Sequence, residues 1–273
     1  MAYTTASKIY EKVGITASDL PDGAIDRILE DTDREVDRIT KTTSVPKKKI
    51  DLFAGNDQNI HFINKIPLLT ILKAEIDSTD ISLDKIWAQY TGQVELLNGA
   101  EKQFFYASVT KPNCFLKYYY GWLEETTTQT DVKTAAEAGS SVTIEVDEAD
   151  NFTAENWIKI QGFDGNSEVT QIISKDDTND TLTCDLTRDH EVDSLVTELQ
   201  VPGIVQNLAG CIGAIMTALY MVGSTYTFAT SYSVPDYSVT KGVPYPHFNT
   251  NLQAWVKERD FLMSQLPSWP VFE

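Results

Sequence analysis

The residues most able to do chemistry are three histidines and three cysteines spread over 273 positions. His61, His190 and His247 lie in unlike segments, and none has a second His or Cys at metal-ligand spacing. Packing or surface roles are therefore expected of them, and no metal site. Cys114, Cys184 and Cys211 are equally dispersed, which indicates neither a zinc knuckle nor a disulfide framework and reads as a reducing compartment. Cys184 has Asp185 beside it within a strand pattern; a neighbouring carboxylate opposes the thiolate, so an inert, half-buried cysteine is expected. Ser, His and acidic residues all occur, but no Gly-x-Ser-x-Gly elbow and no phosphate-cradling glycine loop accompanies them. No catalytic residue, no cofactor site and no enzyme activity is expected.

Two denser groups remain. Asp176-Asp177-Thr178-Asn179-Asp180 has the closely spaced oxygens that a hard cation needs. It lacks the Gly and distal Glu of an EF-hand, and it falls between the strand-like stretches 171–174 and 181–184, where a polar hairpin turn is the better reading. Lys47-Lys48-Lys49 is the one basic run. It suits either contact with phosphates or an acidic patch, or simply a solvated turn, the plainer reading.

Charge divides the chain into parts. Of a net −18, residues 131–200 carry −13, from 17 Asp or Glu against Lys133, Lys159, Lys175 and Arg188. Such acidity argues against a surface that grips nucleic acid. Within this stretch apolar and polar residues alternate, as in Val142-Thr143-Ile144-Glu145-Val146, the period of a half-buried strand. The expectation is an inserted acidic β domain over 131–200, flanked by the two parts of a host domain, 1–130 and 201–273.

The flanks supply the helices. Residues 5–13 read as a short helix stopped at Gly14, and 22–40 as a longer one, capped by Ser18 or Asp19, with Ile25, Ile28, Leu29, Val36 and Ile39 on one stripe. Residues 50–54 and 59–63 flank Gly55-Asn56-Asp57 and read as a hairpin, followed by strands at 68–76, 82–87, 93–97, 103–108 and 114–120. From Val201 to Tyr232 there is no charged residue. Gln206, Asn207, Gly210 and Gly213, and the lack of basic flanks, favour a buried helix or one between subunits over a membrane span. Glycines 203, 210 and 213, with Ala209, Ala214 and Ala218, permit close helix approach within this subunit or to the next. A long arm at 224–246 leads to a last helix ending near Leu266. The start, Met1 to Lys8, has no apolar core behind a basic residue, so no secretory signal is expected.

The order of these pieces carries a resemblance. A short and a long N-terminal helix precede Asp51-Leu52-Phe53-Ala54-Gly55 and then Asn64-Lys65-Ile66-Pro67-Leu68-Leu69-Thr70-Ile71. A strand ending in Tyr118-Tyr119-Tyr120-Gly121 follows, and later Val201-Pro202-Gly203-Ile204-Val205 opens a helix rich in small residues. This order resembles the head-tail connector (adaptor, or head-completion) proteins of tailed bacteriophages; the likeness covers both flanks and skips 131–200. It implies a fold of α+β class, a helical-bundle adaptor with a small antiparallel sheet and an inserted all-β domain of barrel or sandwich type. It also implies a virion structural protein rather than an enzyme, located at the virion neck and, during assembly, in the host cytoplasm. Its partners would be itself, in a ring of about twelve subunits, the portal protein, and a stopper or tail-completion protein. Duplex DNA would pass through without specific binding, and no membrane is involved. The oligomer interface is expected at Ile204, Leu208, Ile212, Ile215 and Leu219, and docking to portal or neck at Trp255, Trp269 and Phe272. The alternatives are a different neck or tail-completion component, and a carbohydrate-binding or hydrolase protein holding paired carboxylates over a sugar, for which no fixed spacing appears.

Overall fold

In the computed structural model, residues 3–97, 99–100, 102, 105, 112–162, 167–225, 231–234, 237–240 and 247–267 are described, and they fall into two units. The chain's two ends make the helical unit, residues 3–41 and Gly203–Pro267, and the middle, Thr42–Pro202, makes a β unit.

In the helical unit, α1 (Ala6–Val13) starts where the Thr5 hydroxyl accepts the Lys8 amide and stops at Gly14, whose φ of 76° is the left-handed turn that glycine adopts at no steric cost. Thr16 and Asp19 form a reciprocal capping box. That box closes a separate 3-10 turn at Ala17–Asp19, so Ser18 and Asp19 do not cap α2 (Ala24–Thr40), which begins at Gly23 instead. Ala24, Ile28, Thr32, Val36 and Thr40 make the buried stripe of α2, each four residues after the last, the spacing that puts neighbours on one side.

The β unit begins with β1 (Lys47–Phe53), β2 (Ile60–Phe62), β3 (Leu68–Ile76), β4 (Thr79–Asp80), β5 (Ile86–Ala88), β6 (Gln93–Leu96) and β7 (Cys114–Tyr120). They form two antiparallel sheets, ordered β1-β7-β3-β4 and β2-β6-β5, which share one core of Ile63, Ile71, Ile76, Val94, Leu116, Tyr118 and neighbours. The expected hairpin over 50–63 is not formed: β1 pairs along its whole length with β7, and β2 pairs with β6. The reason is partly electrostatic. Asp51 is buried, and its carboxylate accepts the Tyr118 hydroxyl at 2.7 Å and the Asn64 amide at 3.4 Å, a pairing that only the long-range register provides. Residues 82–87 are not one strand either, because the 3-10 turn Leu83–Lys85 intervenes before β5. The strand expected at 103–108 lies, apart from Phe105, outside the described residues.

Next come β8 (Glu124–Asp131), β9 (Gly139–Glu145), β10 (Trp157–Gln161), β11 (Ser167–Asp176), β12 (Thr181–Leu186) and β13 (Leu195–Gln200), ordered β8-β13-β10-β11-β12-β9. The outer strands meet just past their ends, where Val132 bridges Val146 and the Lys133 and Asp147 amides donate to the Glu145 and Asp131 carbonyls. The sheet thus closes on itself at that corner. It encloses Ile144, Val146, Phe152, Ile158, Ile160, Ile172, Leu182, Cys184 and Val196. The closed sheet takes in β8, seven residues upstream of the point where the charge changes.

The chain ends in α3 (Gly203–Thr225), the paired strands β14 (Ser231–Val234) and β15 (Tyr237–Thr240), and α4 (His247–Ser264). Fifteen strands in four antiparallel sheets stand against four α-helices among the described residues. This overturns the expectation of a helical-bundle adaptor with a small sheet: the fold is mostly β. The strongly periodic helices are the easiest elements to read, whereas β2, β4 and β5 are two or three residues long and too short to show a period of their own.

Candidate functional site

Most groups that sequence chemistry singles out are taken up by the fold. His61 is stacked on Phe53 with ring centroids 3.6 Å apart and planes 6° from parallel, and Phe105 tilts against both rings. Burial pushes its pKa down to about 4, outweighing the pull of Asp51. His190 is buried, its Nε2 3.1 Å from Glu168, whose carboxylate also accepts the Thr187 amide and hydroxyl and the Arg188 amide. Glu198 is spent in the same way on the Thr153 amide and the Asn156 side chain. These two buried carboxylates hold loops, so they are not a free acid pair poised over a substrate. His247 opens α4.

The three cysteines are buried, and burial pushes the thiols up, Cys114 and Cys211 to about 11 and Cys184 to about 12. They stay protonated at neutral pH and are poor nucleophiles. Asp176 accepts the amides of Thr178 and Asn179 and the Asn179 side chain, so the acidic run is the β11–β12 hairpin turn, with Asp176 opposite Thr181. Among the described residues no three His, Cys, Asp or Glu side chains gather in a way that could hold a metal. Lys47, Lys48 and Lys49 are exposed on β1, and the Lys48 ammonium lies 5.2 Å from the Tyr119 ring centre.

The helical unit leaves a surface unfilled. Its core joins Ile9 and Val13 of α1, Ala24 and Ile28 of α2, Ala214, Ala218 and Met221 of α3, and Trp255 of α4. Lys12 of α1 bonds Glu258 of α4 at 2.9 Å. Gly213 is where α3 meets the N-terminal helices: a Cβ there would lie 2.5 Å from Ile9 Cδ1 and 3.4 Å from Thr32 Oγ1. A Cβ on Gly210 would meet nothing within 4 Å. Of the small residues in α3, Gly213, Ala214 and Ala218 therefore serve contacts inside the chain, and Gly210 does not.

The residues proposed for an oligomer interface do not share one free face. Leu208 and Ile212 are buried, Ile204 and Ile215 are half-buried, and Leu219 is 54% exposed. Trp255 is buried in the helical core, and Trp269 and Phe272 lie outside the described residues. What the structure brings together instead is a groove in which Leu219, Tyr220 and Met216 of α3 lie beside Ile28 of α2, rimmed by Asp31, Arg34, Glu35 and Arg38. Tyr220 is 42% exposed. The rim charges alternate in sign and pair along α2, Arg38 with Glu35 at 2.6 Å and Arg34 with Asp31 at 3.1 Å. On α4, Phe261 and Met263 are also exposed. Spacing along α3 does not announce Leu219 and Tyr220: Leu219 falls on the same side as the buried Leu208 and Ile212, and Tyr220 on the side of the buried Ala209 and Gly213, so only the tertiary packing leaves them exposed.

The α3 window Gly203–Met221 is long and apolar enough to cross a membrane, and 61% of it is buried inside the chain, as in a core helix. A scan against protein-family models found no match, and a search of curated proteins found none of significance.

Proposed function

We propose that the protein is a virion structural subunit that forms a ring with its own copies at the head-tail junction of a tailed bacteriophage, between the portal and the next neck or tail protein. The observation that carries this reading is the groove between α2 and α3. In a chain of net charge −18 it keeps Leu219 and Tyr220 in water beside a rim of alternating charge. Fully burying a side chain of this size gains about 1.5–3 kcal/mol, so several such residues reward association. A rim carrying both signs meets a neighbour's rim without net repulsion. A ring whose subunits each offer this surface closes without leaving it wet.

The order of short apolar words that resembles connector proteins supports the same reading, since Asp51–Gly55, Asn64–Ile71 and Tyr118–Gly121 converge: Asp51 bonds both Tyr118 and Asn64, and the Gly121 amide donates to the Pro67 carbonyl. The acidity of the chain suits a protein beside which duplex DNA slides without sticking. Peptide mass spectrometry of necks released from purified virions tests the proposal. The chain should be present at a fixed multiple of the portal subunit, and its absence from virions that contain the portal would refute it.

A further inference from the structure

The geometry points to a saccharide-binding site in the β unit, in a cavity of about 250 Å³ apart from the helical groove. Its walls include Trp87 of β5 and Tyr90 in the turn after it, Thr70 of β3, and Glu125, Lys159 and Ser167 from the closed sheet. Four features point to a polyhydroxylated ligand.

Trp87 is 45% exposed and Tyr90 41% exposed, an expensive way to keep two large rings unless something covers them. Tyr90 is also held in place, because its hydroxyl bonds the Leu123 backbone and its carbonyl accepts the Leu68 amide at 3.0 Å. Its ring is thus a prepared face, and a fixed face binds without an ordering cost.

Thr70 supplies a signal of a different kind. Its residue is 4% exposed, it lines the cavity, and its hydroxyl has no hydrogen-bond partner among the described residues. An unpaired buried hydroxyl costs stability, and turning it toward a ligand hydroxyl in the cavity would satisfy it.

At the rim, Lys159 and Glu125 are paired at 2.8 Å, placing a donor and an acceptor side by side with Ser167 near them. A sugar presents that combination in return, an apolar C–H face for an aromatic ring and alternating donor and acceptor hydroxyls at its edge. Arg188 also lines the cavity, so the walls carry two cations and one carboxylate. That balance admits a neutral or singly acidic sugar. A nucleic-acid strand is disfavoured by the −18 charge of the chain as a whole.

The test uses the full chain with maltotriose, chitotriose and trigalacturonic acid as probes, each up to about 10 mM, where millimolar dissociation constants are measurable. Saturation-transfer NMR and tryptophan fluorescence should show binding of at least one. Trp87→Ala should weaken that binding by about tenfold or more, the loss of one stacked face, without lowering the melting temperature. Thr70→Val should raise the melting temperature, since it removes an unpaired buried hydroxyl, while weakening the same sugar. Failure of all three probes to bind would overturn the site, and so would binding that neither substitution alters. A Thr70→Val protein less stable than the parent would show that the hydroxyl serves the fold and not a ligand.

Discussion

His61 illustrates how this molecule treats ionisable groups: it is stacked on Phe53, with Phe105 tilted against both rings, and kept neutral by burial. With a folded pKa of about 4 against an ordinary 6.5, the unfolded chain binds the proton more readily. The stability contributed by the neutral ring is complete above pH 6.5 and is lost as pH falls toward 4. His61→Phe keeps a stacked ring and removes the proton site. Relative to the parent, the variant should gain about 1–2 kcal/mol on going from pH 7.5 to pH 4.5, the partial exposure of the site reducing the full figure. Paired urea unfolding curves at the two pH values measure it, and an unchanged difference would show that His61 is solvated in the native state. The same economy explains the buried thiols and Glu168: the groups with the most reactive names are the ones most occupied by packing.

Among the elements, α3 organises the helical unit, and one glycine decides how closely its neighbours approach. Gly213→Ala places a methyl against Ile9 and should destabilise the protein by about 1–3 kcal/mol. Gly210→Ala meets open space and should stabilise it by about 0.5–1 kcal/mol through helix propensity alone. Thermal melts of the two variants compare them directly, and equal effects would mean that α1 does not pack at Gly213. The sequence announces that α3 carries small residues, but not which of them meets α1, because periodicity gives a face and not a partner. The strands of the closed sheet were readable from alternation, and the Asp176 turn from its polar run. The pairing of β1 with β7 was not: a turn signal at Gly55-Asn56-Asp57 says nothing of Tyr118, which lies 67 positions after Asp51 in sequence and holds its carboxylate. The groove also eluded sequence reasoning, since its residues come from α2 and α3, far apart in the chain, and Leu219 alone among the expected interface positions lies in it.

At the scale of the whole molecule, both units leave apolar side chains in water, and on the helical unit Leu219 and Tyr220 do so together in the groove between α2 and α3. The central claim is that those residues are wet only in the isolated subunit. Leu219→Glu with Tyr220→Glu adds charge to the groove at two exposed positions, so the fold should survive. The deciding measurement is the mass of the particle in solution, by light scattering on a sizing column, for parent and double variant, each alone and with the portal protein of the same virus. The parent should form a closed multiple of its 30.5 kDa mass, alone or on the portal, and the double variant should remain a folded monomer in both conditions. A parent that stays monomeric with the portal present, or a double variant that assembles as the parent does, would contradict the account.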